Sequence, residues 1–335
     1  MSAATERATG RPACGVDRPV FLVGMPRSGT TAIFESLATH PDVGWLSHHF
    51  NRFPRLPALA ALARLCDVSP FFRKAVAPPS RGRAWFERLR DGPAEAYDVW
   101  ETYCGEKFRF DYLLGQRATP EERDRMTRVV RAVLRYQGKK RFVAKLTGPA
   151  RMGYLMSLFP DARFVHILRD GRAVVDSLMR VDFWRDSSRT REPAWRNGLS
   201  DAYLRTWEAH DRSPLVLAAL QWRAVIERAR EERDALRPER YVEMRYEDFL
   251  AGPAAVMQRI WEAAELAPSR RTLAFIAERL RPAARPESFR DAFRPEQLAV
   301  LDELLGDLLD ELGYARGSPP ASDSYRPASA RETEA

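Results

Sequence analysis

The chain is poor in the residues that build metal and redox centres, with only three cysteines and five histidines among 335 residues. Cys14, Cys66 and Cys104 lie far apart and form neither a CxxC pair nor a Cys/His ligand spacing. That excludes a sequence-local zinc motif and a disulfide framework, and it predicts structural thiols in a reducing compartment. No metal is expected. Long apolar runs are also missing. No stretch approaches the roughly 18 residues of a membrane span, and MSAATERATGRPACGVDRP at the amino terminus lacks the apolar core of a secretion signal. The expectation is a cytoplasmic protein with no membrane span. There is no internal repeat, and no RRM or zinc-finger pattern of a nucleic-acid reader.

What is present is enough apolar residue, 45%, to bury a sizeable core, and one large α/β domain is favoured over two small ones. The net charge of +8 suits an anionic ligand, a nucleic acid or an acidic surface without choosing among them. Most of the basic excess is arginine interleaved with Glu and Asp, as in ERAREERDALRPER, the pattern of a solvated helical surface. Residues 1–18 and 317–335 have the composition of disordered tails. Between them, 19–316 reads as one domain, with a helical insertion over 55–135 that carries no motif with assignable chemistry.

Three apolar runs, PVFLVGM (19–25), RFVAKL (141–146) and ARFVHIL (162–168), predict strands buried on both faces, the kind found in parallel sheets. RYVEMRY (240–246) is a weaker fourth. Helical patterns follow the runs, the βαβ rhythm of a three-layer α/β/α fold with a central parallel sheet. Thr30–Thr39 places Ile33, Phe34 and Leu37 on one face and stops before His40-Pro41. Pro149 is placed to open the next helix, and a third begins near Gly171. Ser213-Pro214 opens a long helix to about Leu236, and Pro295 opens another that ends at Gly313.

Two strand-to-helix junctions carry the chemistry. In Gly24-Met25-Pro26-Arg27-Ser28-Gly29-Thr30-Thr31 the spacing is that of the P-loop, where backbone N–H groups and the positive helix end converge on an anion. Thr30, however, stands where GK[ST] requires the lysine that reaches β and γ phosphates. The loop therefore suits an anion with less charge beyond its first phosphate, such as a phosphosulfate. At the second junction, Arg169 lies at the carboxyl edge of a strand and Ser177 two helical turns on, so a guanidinium fork and a hydroxyl can meet another phosphate.

The paired runs resemble the sulfotransferase superfamily, in which PRSGTT is the 5′-phosphosulfate loop and R-x7-S after a strand is the 3′-phosphate site. RDGRAVVDS is most similar to the tyrosylprotein sulfotransferases, and RYEDFLAGP (245–253) resembles a stretch of bacterial members. The resemblance covers roughly residues 19–314. It implies a fold like that of the P-loop nucleotide hydrolases and 3′-phosphoadenosine 5′-phosphosulfate (PAPS) as co-substrate. Arg27, Ser28, Gly29, Thr30 and Thr31 would hold its 5′ side, and Arg169 and Ser177 its 3′-phosphate.

Sulfuryl transfer needs in-line positioning, a cation for the leaving phosphate and a proton acceptor for the attacking hydroxyl. Arg27 holds the place where many family members carry lysine, and it cannot serve as an acid. Lys145, ending RFVAKL, is either a second cation at the same sheet edge or an ordinary strand-end lysine. For the base, His48 falls at the offset from Arg27 where tyrosylprotein sulfotransferases carry glutamate. No Asp or Glu occurs between Asp42 and Asp67, so His48 or His49 is expected in that role. The acceptor, a small molecule, glycan or lipid, is not legible. Trp45, Phe50, Phe183 and Trp184 read more readily as core than as its pocket. A P-loop-like kinase and a basic nucleic-acid-binding protein are the alternatives.

Overall fold

A computed structural model describes residues 15–69, 91–182, 184, 198–279 and 288–314. Five strands, β1 (Val20–Gly24), β2 (Val43–Gly44), β3 (Arg141–Thr147), β4 (Arg163–Leu168) and β5 (Tyr241–Arg245), form one sheet in the order β2-β3-β1-β4-β5. Every pairing is parallel. The chain moves outward from β1 to one side and then returns past it to β4. The carboxyl end of β1 is therefore the switch point at which such sheets bind ligands.

Because successive strand residues point to opposite faces, β1 feeds two cores. Phe21 and Val23 enter one, built with helices α3 (Tyr97–Cys104), α4 (Pro120–Gln137) and α5 (Met152–Leu158). Val20 and Leu22 enter the other, with α1 (Thr30–Leu37), α8 (Pro253–Ala264) and α9 (Arg270–Arg279). A third cluster joins Leu168 at the end of β4 to α6 (Gly171–Met179), α7 (Pro214–Arg233) and α10 (Pro295–Glu311). The result is the three-layer α/β/α architecture. Trp45, Phe50 and Trp184 are buried in these cores, and Phe183 lies outside the described side chains.

Some local readings differ from the structure for tertiary reasons. The helix expected from Pro149 begins at Met152, after Arg151 in a left-handed conformation. Its free amides are capped from 80 residues away: Glu232 accepts from Met152 N–H at 3.1 Å and from Gly153 N–H at 2.9 Å. Val16 is buried, so residues 15–18 pack onto the domain; the rest of the two expected tails lies outside the described residues, as does Cys14. Cys66 and Cys104 are buried thiols outside any disulfide, and burial pushes the Cys104 thiol up to about 12, which leaves it protonated and inert at neutral pH.

One buried group ties stability to pH. His166 on β4 is fully enclosed, with Nδ1 2.7 Å from the Tyr241 hydroxyl, which in turn donates to Glu243 at 2.7 Å. Burial lowers the imidazole to about 4, against 6.5 for the exposed group. Between those values the unfolded chain binds a proton that the folded chain does not, so this contribution is intact above pH 6.5 and lost as pH falls toward 4. At about 1.4 kcal/mol per unit the loss is about 3 kcal/mol. Urea midpoints measured from pH 7 to pH 4 should fall accordingly. In His166→Gln the fall should be much shallower; an unchanged slope in that variant assigns the effect elsewhere.

Candidate active site

The loop after β1 is held by close backbone approaches. Gly24 lies against β4, where a Cβ would come within 2.5 Å of the Ile167 carbonyl. Gly29 has φ +82°, and a Cβ there would meet the Tyr246 ring at 2.1 Å. Between them Ser28 N–H donates to the Met25 carbonyl at 3.1 Å, and Arg27 adopts φ +74°. Gly29 is also the N-cap of α1. It offers no capping side chain, and the first turn carries no acid. The free amides and positive end of α1 are thus left facing the cleft, an arrangement that favours an anion.

The structure brings the two sequence motifs into contact. Arg27 Nε donates to Ser177 Oγ at 2.9 Å, and Arg169 Nη1 donates to the Arg27 carbonyl at 2.8 Å. Arg169 also lies over the Tyr246 ring, 5.4 Å from its centroid, so one aromatic ring abuts both Gly29 and Arg169. Tyr246 belongs to RYEDFLAGP, which gives that stretch a physical place beside the loop.

Lys145 stands at the next strand end. Its Nζ lies 2.8 Å from Thr31 Oγ1 and 2.8 Å from Glu95 Oε1. Glu95 Oε2 accepts from Thr147 Oγ1 at 2.8 Å, and Tyr97 donates to the Thr147 carbonyl at 2.7 Å. Beside this chain of contacts opens a cavity of about 500 Å³. The loop lines it with Met25, Pro26, Arg27, Thr30 and Thr31, the end of β3 with Lys145, Thr147, Gly148 and Pro149. Glu95, Tyr97, Arg109, Tyr112 and Gln221 complete the wall. Arg109 is neutralised by Glu101 at 2.7 Å and Asp98 at 2.6 Å. Burial pushes Tyr97 up to about 12, so its phenol remains a donor at neutral pH.

His48 and His49 are not among the residues lining this cavity. They open the short helix α2 (His48–Arg52) behind Ser47, whose side chain caps it at 3.1 Å from Phe50 N–H. His48 is exposed, and the ring of His49 sits 3.1 Å from the buried carboxylate of Asp91. The carboxylate that does reach the cavity, Glu95, arrives by a backbone bridge. Ala94 N–H donates to Leu46 O at 2.8 Å and His48 N–H to Gly92 O at 3.1 Å, around the bridged pair Ser47 and Pro93. The sequence gives no local signal for this pairing. Glu95 falls in the segment to which no chemistry is assignable from sequence, and the backbone that clasps its neighbours Pro93 and Ala94 lies nearly fifty positions earlier.

Among the described residues no helix is long and apolar enough to cross a membrane, and no group of three or more His, Cys, Asp or Glu side chains is placed to hold a metal ion.

The sequence profile of the sulfotransferase family matches residues 19–269. An omega-hydroxy-beta-dihydromenaquinone-9 sulfotransferase of Mycobacterium bovis is 26% identical over 215 residues, 62% of this chain and 51% of the relative. The corresponding protein of Mycobacterium tuberculosis gives the same figures. This chain thus spans about half the length of the curated relatives it matches. Among solved structures, sulfotransferase STF9 from Mycobacterium avium superposes with TM-score 0.54 at 21% identity, covering 88% of this chain and 77% of that one. The sulfotransferase domain from the curacin biosynthetic pathway superposes with TM-score 0.52 at 14% identity, covering 90% and 99%. At these identities the two structures bear on the fold alone.

Proposed function

The chain belongs to the sulfotransferase family, and from that premise we propose that it transfers a sulfuryl group from PAPS to a hydroxyl or amine of a small-molecule, glycan or lipid acceptor, releasing adenosine 3′,5′-bisphosphate. The observation that carries this reading is the contact between the two anion-binding motifs, Arg27 with Ser177 and Arg169 with the Arg27 backbone, at one sheet edge beside an acceptor-sized cavity. The donor set fits such a co-substrate: the uncapped helix start, Arg27, Lys145 and the hydroxyls of Thr30 and Thr31 line the cavity, and Arg169 and Ser177 stand against Arg27. The mycobacterial relatives are named for an omega-hydroxylated menaquinone, which supports an alcohol as the acceptor.

In this reading Thr30, Thr31 and the α1 amides hold the 5′ side, with Ser28 and Gly29 shaping the turn, while Arg169 and Ser177 hold the 3′-phosphate. Arg27 and Lys145 balance the charge that develops on the leaving phosphate. Glu95 takes the proton of the acceptor as the new O–S bond forms and the bridging S–O bond breaks, its electron pair departing with the phosphate. This assigns to Glu95 the role expected of His48 or His49, because general-base catalysis requires hydrogen-bond reach to the reacting hydroxyl and only Glu95 of the three faces the cavity.

Isothermal calorimetry on the full chain tests the reading. Adenosine 3′,5′-bisphosphate should bind in the micromolar range with EDTA present. No binding, or a preference for Mg-ATP over the bisphosphate, would reject it in favour of a kinase-like site.

A further inference from the structure

Arg151 is a fully buried arginine just behind the cavity wall. Its Nε donates to the carbonyl of Asp111 at 2.9 Å, Nη1 to that of Pro149 at 2.7 Å and Nη2 to that of Arg109 at 2.9 Å. The guanidinium also lies over the Phe108 ring, 5.0 Å from its centroid. Taking such a charge out of water is costly, and here the cost is offset by the three hydrogen bonds to carbonyls. Its backbone, with φ +54°, is strained as well. What this cost secures is geometry. The three carbonyls belong to two chain segments, Pro149 on the link from β3 to α5, and Arg109 and Asp111 on the segment that follows α3.

Both segments contribute to the cavity wall, one with Pro149 and the other with Arg109 and Tyr112, and their carbonyls meet at one guanidinium. A planar fork with donors in fixed directions can tie both at a set distance; a flexible ammonium cannot. We infer that Arg151 is a positioning residue that fixes these two wall segments relative to each other, and so sets the shape of the wall, Tyr112 included, against which an acceptor must fit. This rests on the sulfuryl-transfer reading of the site. It predicts that the acceptor half of the cavity can be loosened without disturbing the co-substrate half, since Arg151 bonds to none of Arg27, Arg169 and Ser177 among its described contacts.

The test compares full-length Arg151→Met and Arg151→Lys with the native chain. In Arg151→Met, backbone amides of residues 107–112 should exchange with deuterium about tenfold faster or more, while those of 24–31 remain unchanged. Adenosine 3′,5′-bisphosphate should bind within about threefold of native, and with 2-naphthol as acceptor probe the acceptor KM should rise about tenfold while the PAPS KM holds. Arg151→Lys should recover little of either. Native exchange across 107–112 in Arg151→Met overturns the inference whether or not 2-naphthol is a substrate. An equal loss on both KM values also overturns it, as general destabilisation. A native chain that neither binds the bisphosphate nor turns over the probe overturns the functional reading instead, and the exchange result still decides the positioning role.

Discussion

Replacing Glu95 by glutamine should lower turnover by about 10²- to 10⁴-fold, the usual weight of a positioned general base, with adenosine 3′,5′-bisphosphate binding changed by no more than a few fold. The substitution keeps the side chain's size, and its amide can still face Lys145 and Thr147, so the cavity is expected to persist. What is lost is the ability to take a proton. His48→Ala and His49→Ala provide the contrast. Each should retain turnover close to native, since neither ring lines the cavity. Single-turnover measurements with saturating PAPS decide the matter, because they remove product release from the observed rate. A Glu95→Gln protein that turns over normally while His48→Ala does not would return the role to the histidine.

The second large effect should come from Arg169→Met. In the free protein this side chain does two things: it bonds the Arg27 carbonyl at 2.8 Å and lies over the Tyr246 ring. With the bisphosphate present it is expected to meet the 3′-phosphate as well. A charge-assisted hydrogen bond contributes roughly 1.5–3 kcal/mol. The loss of the fork together with its hold on the loop should therefore weaken bisphosphate binding on the order of 100-fold, read by calorimetry. Adenosine 5′-monophosphate, which lacks the 3′ group, serves as the control. Its affinity should fall much less, leaving only the loop's loss of support. An equal fall for both ligands would mean that Arg169 acts on the loop alone and that the 3′-phosphate is held elsewhere.

Much of the fold could be read from residues in order. The runs at 19–25, 141–146 and 162–168 are buried on both faces, so their composition alone distinguishes them, and even the weaker 240–246 run became β5. The two-residue strand β2 could not be seen, since Val43 and Gly44 carry no periodicity. The start of α5 was misplaced because its cap, Glu232, comes from another helix. The site divides the same way. Arg27, Thr30, Arg169 and Ser177 sit on strand-to-helix junctions, whose position at the sheet edge follows from local pattern. Glu95 does not, and Arg151 reads as one more surface arginine until its carbonyl partners are seen. The offset that points to His48 leads to a backbone that is bonded to Gly92, three residues before the Glu95 proposed here as the base.

That bridge between residues 46–48 and 92–94 has an architectural consequence. Two backbone hydrogen bonds join residues 46–48 to 92–94 and so close the intervening chain at its base, while Phe50, Ala60, Ala63 and Cys66, just beyond the closure, are buried in the domain's cores. Closing a longer excursion costs only about 0.6 kcal/mol per doubling of length. A change of length after Ser69 should therefore leave the clasp intact, and with it the placement of Glu95 against Lys145.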